Sequence, residues 1–358
     1  MPPQKFTILQ LSTVFLLSVG MMNHVQVIPL ILDVAARDSW LSILLTTALF
    51  IPVFLTIGYI IKKTGQQDIR KWLTKAYGRW ASVAFSAAAG VLLTAAIIIT
   101  TKDMSIWTNA SYMPNTPMGV IVVSFLATAL YTAMKGLRTL VATAGIFLPI
   151  IVLLGEFVMM ANFQIKDYSL LFPIFEYGPL PMWKGVMYIG AGFVELIFLV
   201  FMQHQVSSKV GMWQMLILGL LLAGLTLGPT MGAISAFGPI EAAQQRNAAF
   251  EQWRLVKVGN YMEHVDFLSI FQWVGGAFVR IALALYIVRQ FVPSNLFLVG
   301  ITALCAIGAL YPVGDITFYN FMKNGYYPLM FAGLLALVAV LYILVLISAH
   351  RKRGTAHE

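Results

Sequence analysis

The fold turns on residues 11–32, LSTVFLLSVGMMNHVQVIPLIL. The stretch is apolar enough to enter a membrane, and about 20 residues suffice to cross one as a helix. Its centre nevertheless carries Gly20, Asn23, His24 and Gln26, with Pro29 just beyond. Polar groups and a helix breaker at that depth are costly unless they face protein or a watery cavity. The pattern returns at residues 181–203, PMWKGVMYIGAGFVELIFLVFMQ, with Gly190, Ala191 and Gly192 in the middle and Glu195 one turn on. Two interrupted apolar segments, one in each half, point to a transporter-type site at the bilayer midplane. Glycine is also common in ordinary membrane helices, where it only lets neighbours pack closely.

The rest of the chain fits this frame. Of 358 residues, 59% are hydrophobic and only 10% charged, which excludes an ordinary soluble domain. The chain reads as a single transmembrane domain, 1–358, whose first apolar run is too long for a cleaved signal. The single cysteine, Cys305, excludes an internal disulfide and suggests no metal cluster. No cofactor is implied. The net charge of +9 does not point to nucleic acid, because the basic residues gather at helix ends.

Apolar length gives ten spans: 7–32, 39–61, 80–101, 117–134, 139–162, 182–204, 211–236, 265–289, 295–311 and 326–348. In that frame Lys62, Lys63, Arg70, Lys71, Lys75, Arg79, Lys135, Arg138, Lys209, Arg289 and Arg351 fall on one side with Lys5. Asp33, Asp38, Asp103, Asp167, Glu176, Glu241, Glu251 and Asp315 fall on the other. Lys and Arg mark the cytoplasmic side, so both termini are expected there. An odd number of spans per half inverts the second half. Two inverted repeats, roughly 1–165 and 180–350, therefore follow, with helices 1 and 6 broken. Residues 66–77 should form an amphipathic helix lying on the cytoplasmic surface, or else an ordinary helical loop. The polar loop 237–264 is long enough to cap an outer vestibule.

Ionisable residues within spans are candidate functional groups. Glu195 and Arg280 fall at similar depth and are expected to pair, either as a coupling element or as a lock between helices. Glu156 has no cation at its depth. It is either a neutral satisfied acid or part of a water path. His24 is either a titrating group or a hydrogen-bonded wall residue. Motifs for nucleophilic or metal-assisted catalysis are missing, so an enzyme is not expected.

Several stretches together resemble the spore-germination permease family. These are YMEHVDFLSIFQW at 261–273, GFVELIFL at 192–199, Thr116-Pro117, KDYSLLFP at 166–173, Tyr311-Pro312 and the basic tail HRKR. His264 stands where that family usually has Arg. The resemblance implies an all-α, LeuT-like polytopic protein of the amino acid–polyamine–organocation superfamily. It implies a nutrient germinant-sensing subunit in the inner membrane of the spore, working in lipid with an A-type and a lipoprotein C-type subunit. The ligand it implies is a small nutrient, most often an amino acid. The alternative is an autonomous proton-coupled amino-acid transporter of the same fold. Freed helix ends at the breaks would bind the ligand. The expected contacts are the backbone at Gly20, Met21 and Met22 and at Gly190, Ala191 and Gly192. Leu92, Ala96, Gly276 and Val279 would form the walls. Bulk at Gly192 is then expected to block the ligand without unfolding the protein.

Overall fold

A computed structural model describes residues 5–257 and 264–354. Tyr261, Met262 and Glu263 of the segment 261–273 lie outside the described residues. Eight helical segments are long and apolar enough to cross a membrane, and Asn295–Leu310 is a shorter apolar helix of 16 residues. The protein is thus a multi-pass membrane protein. The first of the eight, Ile8–Lys63, is interrupted at Ala36, where φ is +45°. Across the interruption the Ser39 hydroxyl donates back to the Ile31 carbonyl at 2.9 Å. Divided there, and with Asn295–Leu310 included, the helices line up with the segments read from the sequence.

Helix α1 (Ile8–Met21) starts at Thr7, whose hydroxyl accepts from the Gln10 N–H at 3.2 Å. That satisfies one of the donors a helix start leaves open. A π-helical turn, Met22–Val27, joins α1 to α2 (Ile28–Ala35) and carries Asn23, His24 and Gln26. Pro29 follows at once. It has no N–H to give to the carbonyl four residues back, and the wider turn lies immediately before it. Helix α3 is Ser39–Lys63, α4 is Ile69–Tyr77 and α5 is Arg79–Ser111. In α4 the side chains of Ile69, Trp72 and Leu73 are buried, so protein rather than lipid covers the apolar face expected on the membrane surface. Helix α5 runs ten residues past its expected end at 101 and takes Lys102 and Asp103 into the protein. Lys102 donates to the carbonyls of Ala309 and Tyr311 at 3.2 and 2.7 Å, where a helix C-terminus leaves acceptors open.

Helices α6 (Met118–Lys135) and α7 (Leu137–Ala161) meet at Gly136, which has φ +96°. Helix α8 (Leu180–Val194) passes into a 3-10 segment, Glu195–Phe201. Then come α9 (Met212–Phe237), the short α10 (Pro239–Gln244) and α11 (Ala248–Arg254), α12 (Ser269–Phe291), α13 (Asn295–Leu310) and α14 (Asp315–Phe321). A second π turn, Met322–Tyr326, leads into α15 (Tyr327–Gly354).

Both interruptions expected from the sequence are present, at the first and sixth spans, but neither is an unwound gap. A π turn and a 3-10 run keep backbone groups bonded within the helix, so the freed helix ends expected at the breaks are not formed. In the sixth span the change falls at Glu195, past the glycines. The two interrupted spans are also tied together at one end. The Phe6 N–H donates to the Gln205 carbonyl and the Ser207 N–H to the Phe6 carbonyl, both at 2.8 Å.

Candidate functional site

Glu195 opens the 3-10 segment and Arg280 stands mid-way along α12. Arg280 Nη1 lies 2.5 Å from Glu195 Oε2, and Nη2 lies 2.6 Å from Oε1. The residues are 4% and 3% exposed. The rest of the guanidinium is also engaged. Nε donates to the Thr100 hydroxyl at 3.1 Å, Nη1 to the Ser18 carbonyl at 3.3 Å, and Nη2 to the Met22 sulfur at 3.1 Å. Two buried charges offset their desolvation only with such geometry and with every donor used. Arg280 thus joins both interrupted helices: Ser18 and Met22 from the first, Glu195 from the second.

A second polar chain was not read from the sequence, which placed Asp103 just past the end of the third span. Asp103 is 2% exposed. One of its oxygens accepts from Arg246 at 2.7 Å and the other from the Gln26 amide at 3.2 Å. Gln26 in turn accepts from the Tyr327 hydroxyl at 3.2 Å. The loop residue Arg246 therefore reaches the π turn of the first helix through one buried carboxylate. The only sequence signal was an acid and a glutamine within apolar surroundings.

The residues expected to hold a ligand divide into two groups. Around Gly190 and Gly192 of α8 there is no room. A Cβ on Gly192 would stand 2.0 Å from Asn23 Oδ1 and 2.9 Å from Met22 Cε. One on Gly190 would stand 2.7 Å from the rings of both Phe50 and Phe331. Ala191 and Val279 are buried, Ala96 is buried in the same core, and Leu92 packs against Gly333. These glycines let α8 approach its neighbours closely. Met22, Leu92, Ala96, Gly190, Ala191, Gly192 and Val279 do not line the cavity beside the first helix.

The cavity lies on the other face of the first helix. It has a volume of about 200 Å³ and is lined from α1, the π turn, α7, α9, α11 and α12. Of the expected residues, Gly20, Met21, His24, Glu156 and Gly276 line it. His24 Nδ1 sits 3.4 Å from the Leu225 carbonyl. Helix α11, in the loop expected to cap a vestibule, contributes Ala249, Phe250, Gln252 and Trp253. It is held by the Trp253 indole N–H on Gln272 at 2.9 Å, the Asn162 amide on the Gln252 carbonyl at 2.6 Å, and Phe250 edge-on to Trp107 at 5.3 Å. Sequence reading missed this wall because its members come from six elements. Gly224 and Gly228 line it with open space where a Cβ would stand. Lys166, just past α7, also lines it, and burial pushes its ammonium below the ordinary lysine value.

Residues 5–311 match the family model described as a spore germination protein. The chain is 38% identical over 351 residues to Spore germination protein XB of Bacillus anthracis, covering 96% of this chain and 99% of that one. It is 22% identical over 320 residues to Spore germination protein A2 of Bacillus subtilis (strain 168), covering 86% of each. Among solved structures, MhsT in complex with L-phenylalanine superposes with a TM-score of 0.62 at 11% identity, covering 94% of this chain and 97% of that one. A manganese transporter variant from Eremococcus coleocola gives 0.53 at 14% identity, covering 96% and 77%. At these identities the structures speak for the fold alone, which is all-helical and LeuT-like.

Proposed function

The chain belongs to the spore germination protein family, and from that premise we propose that it is a germinant-sensing membrane subunit with a small-molecule site beneath α11. One observation carries this reading. The first helix is a wall shared by the cavity and the buried ion pair. Leu17, Gly20, Met21, His24 and Val25 face the cavity, while Ser18 and Met22 contact Arg280. A solute that moves this wall changes the contacts of Arg280. A helix whose turn is already π-wound at Met22–Val27 has a second hydrogen-bonding register nearby.

The ligand in this reading is a nutrient of amino-acid size. The cavity is smaller than the roughly 300–1,000 Å³ of drug-sized sites. The test is thermal unfolding of the purified protein against amino acids, sugars and nucleosides. A ligand at about 100 times its Kd adds about 2.7 kcal/mol and raises the midpoint. An amino acid is expected to do so, and Gly224→Leu to remove the effect. A rise that survives Gly224→Leu would place the site elsewhere. The autonomous transporter draws on the same fold, and no feature of this chain favours it over sensing. Uptake of the stabilising solute by vesicles holding this chain alone would favour it.

The subunit is further proposed to sit in the inner spore membrane with A-type and lipoprotein C-type partners, as two inverted repeats of roughly 1–165 and 180–350. That all ten segments cross, with both termini cytoplasmic, rests on the one-sided Lys and Arg. Reporter fusions after Arg79 and after Arg353 should both read cytoplasmic. An external signal at either sinks that topology.

A further inference from the structure

Two opposite charges face the cavity and neither is spoken for. Glu156 reaches its wall from the last turns of α7, on the same helical face as Leu148, Ile151, Val152 and Met159. Lys166 reaches it from the segment after α7, its ammonium seated where Gly232 lacks a Cβ, 3.3 Å from that position. Among the described residues, neither side chain makes a hydrogen bond or an ion pair, with the other or with anything else. Of the other polar groups of the wall, Gln272 accepts from Trp253 and donates to the Ile151 carbonyl, Ser269 lies 3.2 Å from the Tyr112 hydroxyl, and His24 Nδ1 sits against the Leu225 carbonyl. The Gln252 amide donates to the Pro229 carbonyl at 3.0 Å, and its oxygen, beside the Lys166 ammonium, accepts no hydrogen bond among the described residues. Trp273 has an open group too. It is 3% exposed, it lines the cavity, and its indole N–H has no partner among the described residues.

Glu156 stands exposed at the cavity's edge and Lys166 half-buried on its wall, so both charges are open to a solute. An acid and a base that share an apolar cavity without meeting each other are suited to a solute that carries both complements. We propose that Glu156 and Lys166 read the charges of the ligand: Glu156 takes an ammonium group and Lys166 a carboxylate. The ligand is then a small zwitterion, with its apolar side chain against Leu148, Ile151 and Phe250. This rests on the reading that the cavity beneath α11 is the ligand site. It assigns specificity to α7 and the segment behind it, away from the two interrupted helices.

The test uses the full-length protein and a probe set: L-alanine, L-valine and L-leucine, each with its decarboxylated amine and its deaminated acid. Affinities are read by thermal shift and calorimetry for the unmodified protein, Glu156→Gln and Lys166→Met. The unmodified protein should bind at least one zwitterion about ten-fold or more tighter than either of its one-charge analogues, since a charge-assisted contact carries that much discrimination. Lys166→Met should weaken the zwitterion about ten-fold or more and leave the amine unchanged. Glu156→Gln should weaken the zwitterion similarly and leave the acid unchanged. This crossed pattern is one that loss of fold or pocket shape does not give. Unchanged zwitterion binding in both variants overturns the assignment while the cavity reading stands. Equal loss of all probes in both variants also overturns it. No binding of any probe by the unmodified protein overturns the cavity reading, and the assignment with it.

Discussion

Gly192→Ala lowers the amount of folded protein in the membrane, and Gly192→Leu removes most of it. The reason is the neighbour. A Cβ at this position would stand 2.0 Å from Asn23 Oδ1. Asn23 is 0% exposed, and neither end of its amide has a hydrogen-bond partner among the described residues. It sits in the π turn between residues committed elsewhere, since Met22 contacts Arg280 and Gln26 contacts Asp103. The displaced atom therefore has no free path, and overpacking of a filled core costs about 1–3 kcal/mol or more. Gly224→Leu is the control. Its Cβ meets nothing within 4 Å and fills the cavity instead. Immunoblots of membranes beside nutrient dose–response separate the two. Gly192→Leu should lose level and response together, while Gly224→Leu should keep its level and lose response. Full abundance of Gly192→Leu with lost response would restore the site between the interrupted helices that the sequence suggested.

That contrast shows which parts of the molecule were legible beforehand. The interruptions were legible because they are local. Asn23, His24, Gln26 and Pro29 stand within one turn or two of each other, and their cost in an apolar span does not depend on distant residues. The glycines of α8 were visible but mute. Whether a missing side chain makes room for a ligand or for a neighbour depends on what stands opposite. For Gly190 that is Phe50 and Phe331, each more than a hundred residues away. Asp103 misled for a related reason. Beside Lys102 it looked like the end of a span, yet its partner Arg246 lies 143 residues on, in a loop. The cavity needed six elements to be placed before it existed. Glu156 has no cation within its own span, and Lys166, which shares its wall, comes from the segment beyond α7.

Glu195→Gln and Arg280→Gln each destabilise the protein strongly, and the double variant loses much less than their sum. Removing one member of a buried pair strands the other charge, at about 3–5 kcal/mol. Arg280→Gln is expected to be the worse of the two. It also abandons the Thr100 hydroxyl and the Ser18 carbonyl and leaves a buried carboxylate with no cation beside it. After Glu195→Gln the guanidinium keeps those two acceptors and the amide oxygen of the new side chain. In the double variant two neutral amides face each other and no charge remains to desolvate. Equilibrium unfolding of all four proteins gives the coupling energy directly, and it should amount to several kcal/mol. Strict additivity would mean that the pair is not formed in the membrane. A charge reversal, Glu195→Arg with Arg280→Glu, should not rescue stability. Position 280 is surrounded by acceptors from Ser18, Met22 and Thr100, which suit a donor there and not a carboxylate. Arg280→Lys should recover only part of the loss, because an ammonium cannot span both oxygens of Glu195 while reaching the first helix. If the wall between cavity and ion pair transmits ligand binding, Arg280→Lys should also shift the nutrient dose–response of the protein that does accumulate. The lysine restores the charge but not the bonds to Ser18 and Met22 through which the first helix is held.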